Sequence, residues 1–324
     1  MNLNKIIERI DHFQQTHRIL SIVFAIIRKY GDDNAGYLAS LITYYGFLSI
    51  FPLLLAATSI ISIASNYHLP YAANITAALA NNFPLIGQEL QRNVHGLRSS
   101  GLSLVIGIAL ALFGARGVAD AFRHAINEIW QIPKADRPMF PSDILVSLKI
   151  VFIGGIGFIL SSVVSTLVQS YSNSLLTIII ANLVSLALVY LTLLAILLLA
   201  VPRSMKRADM RRGAIGTALG FQLLQLVGTL IVTRTLGHLS STYGIFAIVL
   251  GLLFYISLQA QILLYSLEYN VVMRRQLWPR SLTLEPVTHA DKDALSGQAK
   301  KEKLTEKEVV DVNFSAKKKT KSYK

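Results

Sequence analysis

Cysteine is absent from the 324 residues, which excludes disulfide staples and thiolate metal sites. Charge is scarce as well. Asp, Glu, Lys and Arg make up 15% of the chain, against about 25% in an ordinary soluble domain. The shortage is uneven: residues 34–88 hold no charged side chain, and neither do residues 150–202. Two tracts of that length are hard to hide from water in a soluble fold of this size. A bilayer hides them readily, because a helix of about 20 apolar residues crosses its hydrocarbon core. What is present agrees, with 53% hydrophobic residues and a mean hydropathy of +0.50.

Motifs of chemistry are missing too. There is no P-loop, no Gly-rich dinucleotide fingerprint and no His-Glu metalloprotease pattern. His12, His17, His68, His95, His124, His238 and His289 are scattered, and none stands beside a carboxylate at metal-site spacing. The expectation is a protein that is not an enzyme and carries neither metal nor cofactor. A cleavable leader is not expected either. Met1 to Arg18 is polar, and the apolar run Ile19 to Ile27 ends at Arg28-Lys29-Tyr30 without a small-residue cleavage pattern.

The net charge of +13 and pI near 9.9 would point to nucleic acid in a soluble protein. Here the positions matter more than the sum. Thirteen of the 31 basic residues lie from Arg274 onward, and most others flank apolar segments. With the N-terminus inside, cytoplasmic segments 1–34, 116–149, 201–212 and 274–280 hold 18 Lys and Arg, and external segments hold only Arg92, Arg98 and Arg234. That bias predicts an even number of spans with both termini cytoplasmic. The expected partners are membrane lipids, with anionic headgroups at the basic loops, and not nucleic acid. A homo-oligomer is left open.

The predicted fold is all-α: a polytopic bundle of about six transmembrane helices behind an N-terminal amphipathic helix. Residues 1–34 form the amphipathic cytoplasmic segment, residues 35–272 the membrane domain, and residues 273–324 a basic, disordered tail. Within 3–30, Ile6, Ile7, Ile10 and Phe13, then Ile19, Ile22, Val23 and Ile26, follow helical spacing. Nine apolar residues are too few to span, so this helix belongs on the membrane surface. The spans are expected at 39–64 (kinked at Pro52), 101–115, 144–168, 175–201, 213–232 and 243–267. The long loop 66–100 has room for a short helix over 71–80.

Three groups of polar residues are candidates for function. Arg116, Asp120, Arg123 and Asn127 recur at steps of four, three and four, so they line one helix face where the second span leaves the membrane. They predict a cationic site for an anionic substrate or headgroup; the alternative is a solvated face resting on lipid phosphates. Tyr44 and Tyr45, with Gly46 and Ser49, could line a polar pathway in the first span or simply permit close helix packing. Gln222 and Gln225 on the fifth span, and Gln259, Gln261 and Glu268 on the sixth, must face protein or water. Hydrogen bonds between helices or a substrate path would both satisfy them, and Arg274 and Arg275 are the sequence-local partners for Glu268. The basic loop Pro202–Arg212 reads as an orientation signal.

Ala39-Ser-Leu-Ile-Thr-Tyr-Tyr-Gly-Phe-Leu-Ser-Ile-Phe-Pro52 resembles the first-span signature of the YihY/BrkB family of bacterial inner-membrane proteins. Gly114-Ala-Arg-Gly-Val118 and Ala125-Ile-Asn-Glu-Ile-Trp130 match its second block. Arg211-Arg-Gly-Ala-Ile-Gly216 and Ser241-Thr-Tyr-Gly-Ile-Phe246 resemble the later ones. The motifs run in the family's order over roughly residues 20–275. Ser266-Leu-Glu268 departs from the family's Gly-Ala-Glu, keeping the acid but not its small neighbours. The resemblance implies a six-span inner-membrane protein. Its YhjD branch is linked to transport of lipid A precursors, and an old ribonuclease label on some members finds no metal cluster or nuclease domain here. The functional expectation is a transporter or transport accessory for an anionic amphiphile or envelope lipid precursor. Arg116 and Arg123 would hold the anion, with Tyr44, Tyr45, Gln222 and Gln259 along the path; a non-transporting membrane scaffold is the rival.

Overall fold

The computed structural model describes residues 3–66, 101–171, 175–202, 205–231, 237–283 and 287–314. The helix expected over 71–80 and the run Lys317-Lys318-Lys319 lie outside the described residues. Among those described, every regular element is a helix. They are α1 (Leu3–Thr16), α2 (Arg18–Asp32), α3 (Ala35–Asn66), α4 (Gly101–Ile129), α5 (Ser142–Tyr171), α6 (Leu175–Ala200), α7 (Arg207–Ile231), α8 (Gly237–Arg275) and α9 (His289–Lys301), with one 3-10 turn at Lys134–Asp136.

Helices α3 to α8 close into a ring in chain order. Each packs on the next, and α8 returns to α3. Among the described residues, three of them carry stretches long and apolar enough to cross a membrane: Ser142–Ser161, Ile179–Ala200 and Val249–Arg275; Ala35–Ile50 is a shorter apolar stretch. The outer surface shows what solvent it is built for. Phe113, Phe152, Ile159, Leu176, Leu223, Phe246 and Phe254 are all exposed. Soluble monomers rarely present so much contiguous apolar surface, whereas in lipid each helix satisfies its own backbone and can turn Phe and Leu outward.

Lipid tails are as apolar as Leu, so these helices are not driven together by the hydrophobic effect; close packing across small residues does that work. A Cβ on Gly114 would lie 3.0 Å from the Ser49 backbone, one on Gly46 3.1 Å from Ile256, and one on Gly216 3.2 Å from Ser266. The last contact explains how Ser266-Leu267 is accommodated: the small residue sits on α7 instead. On α8, Ala260, Leu263, Leu264, Leu267, Val271 and Val272 are buried, one stripe at helical spacing. Gly117 is tighter still, since a Cβ there would come within 2.5 Å of the Tyr45 ring. Gly31, near the end of α2, faces open space. Gly31→Ala should raise stability by up to about 1 kcal/mol through helix propensity. Gly117→Ala should lower it, because overpacking costs about 1–3 kcal/mol. Opposite shifts in thermal unfolding of the purified protein check this, and equal shifts contradict it.

Three non-glycine residues with left-handed backbone turn the chain at one end of the ring: Asn34 (φ 53°), Gln131 (φ 52°) and Gln276 (φ 54°). After α4, the Ile132 amide donates to the Asn127 carbonyl at 2.9 Å; after α8, Leu277 donates to Val272 at 3.1 Å. Both are Schellman-type ends, and both tuck the following side chain, Ile132 or Leu277, into the core.

The amphipathic segment is two helices rather than one, broken at His17. Its orientation is instructive. Ser21, Ala25 and Lys29 face inward, while Ile19, Val23 and Ile27 point out, as a helix at a lipid surface requires. The expectation of disorder from residue 273 onward needs correction. Residues 277–283 are ordered, and α9 starts with a reciprocal capping box between Thr288 and Asp291. Tertiary partners on α1, α2 and the α4 terminus hold this segment, and composition alone does not reveal them.

Candidate functional site

A partly open cavity of about 370 Å³ is lined by α3, α5, α6, α7 and α8. Its polar wall consists of Ser161, Ser185, Thr192, Gln222, Gln225, Tyr255 and Gln259. Ser161 and Ser185 hydrogen-bond across α5 and α6 at 2.8 Å, and the Gln222 amide donates to Asn182 Oδ1 at 2.9 Å. Tyr255 and Gln259, one turn apart on α8, are hydrogen-bonded to each other. The rest of the wall is apolar, with Ile50, Val189, Ile196 and Phe221 among it. Between this cavity and the end where the termini lie stands the packed core of Leu197, Ala200, Leu264 and Leu267. Chemically, the cavity offers neutral donors and acceptors beside an apolar wall.

At the termini end the ring is closed by charge. Lys29 at the end of α2 is 1% exposed, and the Glu268 and Asp33 side chains 0%. The Lys29 ammonium donates to Glu268 Oε2 at 2.8 Å, to the Ile129 carbonyl at 2.7 Å, and to the Asp33 carboxylate. A second knot lies beside it. Arg280, 1% exposed, meets Asp32 at 2.6 Å and Asp291 at 2.9 Å. Its carbonyl accepts from Gln14 at 2.6 Å, and Asp11 accepts from the Leu282 amide at 3.0 Å. A third joins α9 to the end of α4: Lys301 and Arg137 hold Glu128 at 2.8 and 2.9 Å. Burial pushes the Glu128 carboxyl upward, and these two cations outweigh it and bring it below the usual range.

Of the polar residues singled out by sequence, Gln222, Gln225 and Gln259 line the cavity. Arg116 pairs with Asp120 at 3.4 Å, and Arg123 with Asp120 at 3.4 Å and Asp143 at 3.8 Å. Ser147 also donates to Asp120. The cationic stripe is therefore tied up with carboxylates along the α4–α5 seam. Asn127 is buried with its Oδ1 unpartnered. Tyr44 is 59% exposed on the outer surface, and Tyr45 packs on Gly117. Glu268 does not pair with the sequence-local arginines: Arg274 goes to Asp209 at 2.5 Å, and Arg275 to the Trp130 carbonyl and Gln131. The structure thus separates the predicted residues into a cavity, a seam and a buried ion cluster instead of one path.

Lys29, Asp33, Ser161, Ser185, Thr192 and Tyr255 were missed. For Lys29 a signal existed, since Ser21, Ala25, Lys29 and Asp33 follow one another at steps of four, placing a lysine and a carboxylate on the small-residue face. Among the described residues, no group of three or more His, Asp or Glu is placed to hold a metal ion. In comparison with known proteins, a family model described as Virulence factor BrkB matches residues 26–287. No curated protein and no solved structure matches.

Proposed function

We propose, since this chain belongs to the virulence factor BrkB family and is an integral membrane protein, that it is a transporter or transport accessory for an amphiphile of the envelope-lipid class. The cavity inside the helix ring carries this proposal. Helices that merely support one another would fill their centre. Here amides and hydroxyls from α5 to α8 converge on an opening beside apolar wall, the surroundings that a polar head joined to an acyl chain requires. The proposal includes six membrane spans with both termini in the cytoplasm, on the strength of the basic-residue bias, in a bacterial inner membrane. Arg116 and Arg123 sit outside the cavity and would meet an anionic head only at the termini-side rim.

The test follows envelope-lipid export by pulse-labelling in cells whose only copy of the gene is the variant. Gln259→Leu removes a cavity amide, and a lost polar contact of about 1.4 kcal/mol lowers export about tenfold. Arg116→Ala should have a smaller effect. Full export by Gln259→Leu, with normal amounts in the membrane, contradicts the role given to the cavity.

The ion-paired closure of the termini end favours a second reading, a non-transporting scaffold. A scaffold tolerates Ser185→Phe, which fills the cavity, with no cellular consequence; a transporter does not.

A further inference from the structure

The closure at the termini end holds more negative than positive charge in one buried spot. Lys29 supplies one ammonium; Asp33 and Glu268 supply two carboxyls, all three side chains at most 1% exposed. The ammonium's three protons are all used, on Asp33, on Glu268 and on the Ile129 carbonyl. Glu268 Oε1 is left buried with no hydrogen-bond partner, although the Asp33 carboxyl is its direct neighbour.

The elements packed around the cluster bring other polar groups close to it. From α2, Tyr30 is stacked on Tyr265 of α8 at 4.1 Å and is neutral. At the α2–α3 corner, Asp32 is turned away to Arg280. On α8, Arg275 is close enough to interact with Asp33, but its guanidinium donates to Trp130 and Gln131. From α9, Gln298 brings only an amide, 3.5 Å from Asp33 Oδ1; from α4 there is only the Ile129 carbonyl. No cation other than Lys29 touches either carboxyl among the described residues.

We propose that Lys29, Asp33 and Glu268 form a proton-binding site, with one proton held between the two carboxyls. The proton converts two acceptors facing each other into a donor and an acceptor, and it removes the repulsion between two buried carboxylates. Glu268 Oε1 is the atom that gains a partner. When the proton leaves, the two carboxylates share one ammonium and repel, and the contact between the α2–α3 corner and α8 weakens. A proton bound here thus couples to the fit of the terminal segment on the ring. This inference stands apart from the transport proposal, because proton binding requires no cargo.

Infrared spectroscopy of the full-length protein in lipid nanodiscs, stepped through pH, tests it. The wild type should show the carbonyl stretch of a protonated carboxyl at neutral pH and lose it in alkali. Glu268→Gln and Asp33→Asn each leave one carboxylate against one ammonium, so each should lose the neutral-pH band. A wild-type titration without that band overturns the proposal with no variant needed. A band that persists in both variants, with folding verified by gel filtration, overturns it equally. Export measurements have no bearing on either outcome.

Discussion

Lys29→Met should cost the protein about 3–5 kcal/mol of stability, the range for breaking a buried ion pair from one side. The physical reason is the company Lys29 keeps. Its ammonium is the one cation in contact with two carboxyls among the described residues, and it satisfies the carbonyl at the end of α4. Methionine fills a similar volume but leaves the carboxyls facing each other in a dry site. They can escape only by taking up protons, which limits the loss without removing it. Adding Asp33→Asn and Glu268→Gln to Lys29→Met should restore most of the stability, because well-packed neutral groups often replace a buried ion cluster at little cost. The single and combined changes must therefore be strongly non-additive. Thermal unfolding in detergent reads this, and a loss below about 1 kcal/mol for Lys29→Met would show that the cluster is hydrated.

Arg280→Ala should release the segment beyond α8 while leaving the ring assembled. Arg280 joins α2, through Asp32, to the start of α9, through Asp291. The Asp291 partner is buried and the Asp32 partner is partly exposed, so a figure near the low end for buried pairs applies, about 3 kcal/mol. That raises the population of the undocked segment about a hundredfold. Limited proteolysis should then cut the chain between α8 and α9 at a correspondingly lower protease concentration, with the midpoint of thermal unfolding little changed. An unchanged cutting rate would mean that α9 is held by something other than Arg280.

Acid should act on the same joint. Burial works to raise the Asp291 carboxyl, but the Ser281 amide, Arg280 and Thr288 outweigh it and hold it below its ordinary value. Asp11 is likewise driven up by desolvation and brought down further by Gln14 and the Leu282 amide. A carboxyl lowered in the folded state contributes stability above its unfolded pKa, near 3.9, and loses it as the pH falls through that value toward the folded one. Docking of the segment should thus be constant near neutrality and weaken below about pH 4.

The helices were legible because their signal is local. Uncharged tracts, flanking basic residues and glycine placement locate α3 to α8, although α4 runs on to Ile129 and α8 to Arg275, well past the expected spans. Gln222 and Gln259 could be picked out one at a time, since an amide in an apolar span must find a partner. The cavity they share was not legible, because it depends on the ring closing α8 against α3. The ion cluster was hidden for a similar reason: Lys29 and Glu268 lie 239 residues apart. Glu268 looked like a partner for Arg274 or Arg275, whereas the left-handed turn at Gln276 and the buried position of Glu268 on α8 direct those arginines elsewhere. The tail was read from its polarity alone. Thr288-His-Ala-Asp291 is a local capping signal, but what holds α9 is contact with α2 and with the end of α4.

A membrane ring with both terminal segments fastened over one face is the claim on which the rest depends. The chain has no cysteine of its own, so a single introduced thiol reports unambiguously. His17→Cys and Glu306→Cys each place one at an exposed position in the N-terminal and C-terminal segments. A membrane-impermeant maleimide applied to right-side-out and inside-out vesicles should label both in the inside-out preparation and neither in the other. Labelling of the two positions from opposite faces would contradict the architecture.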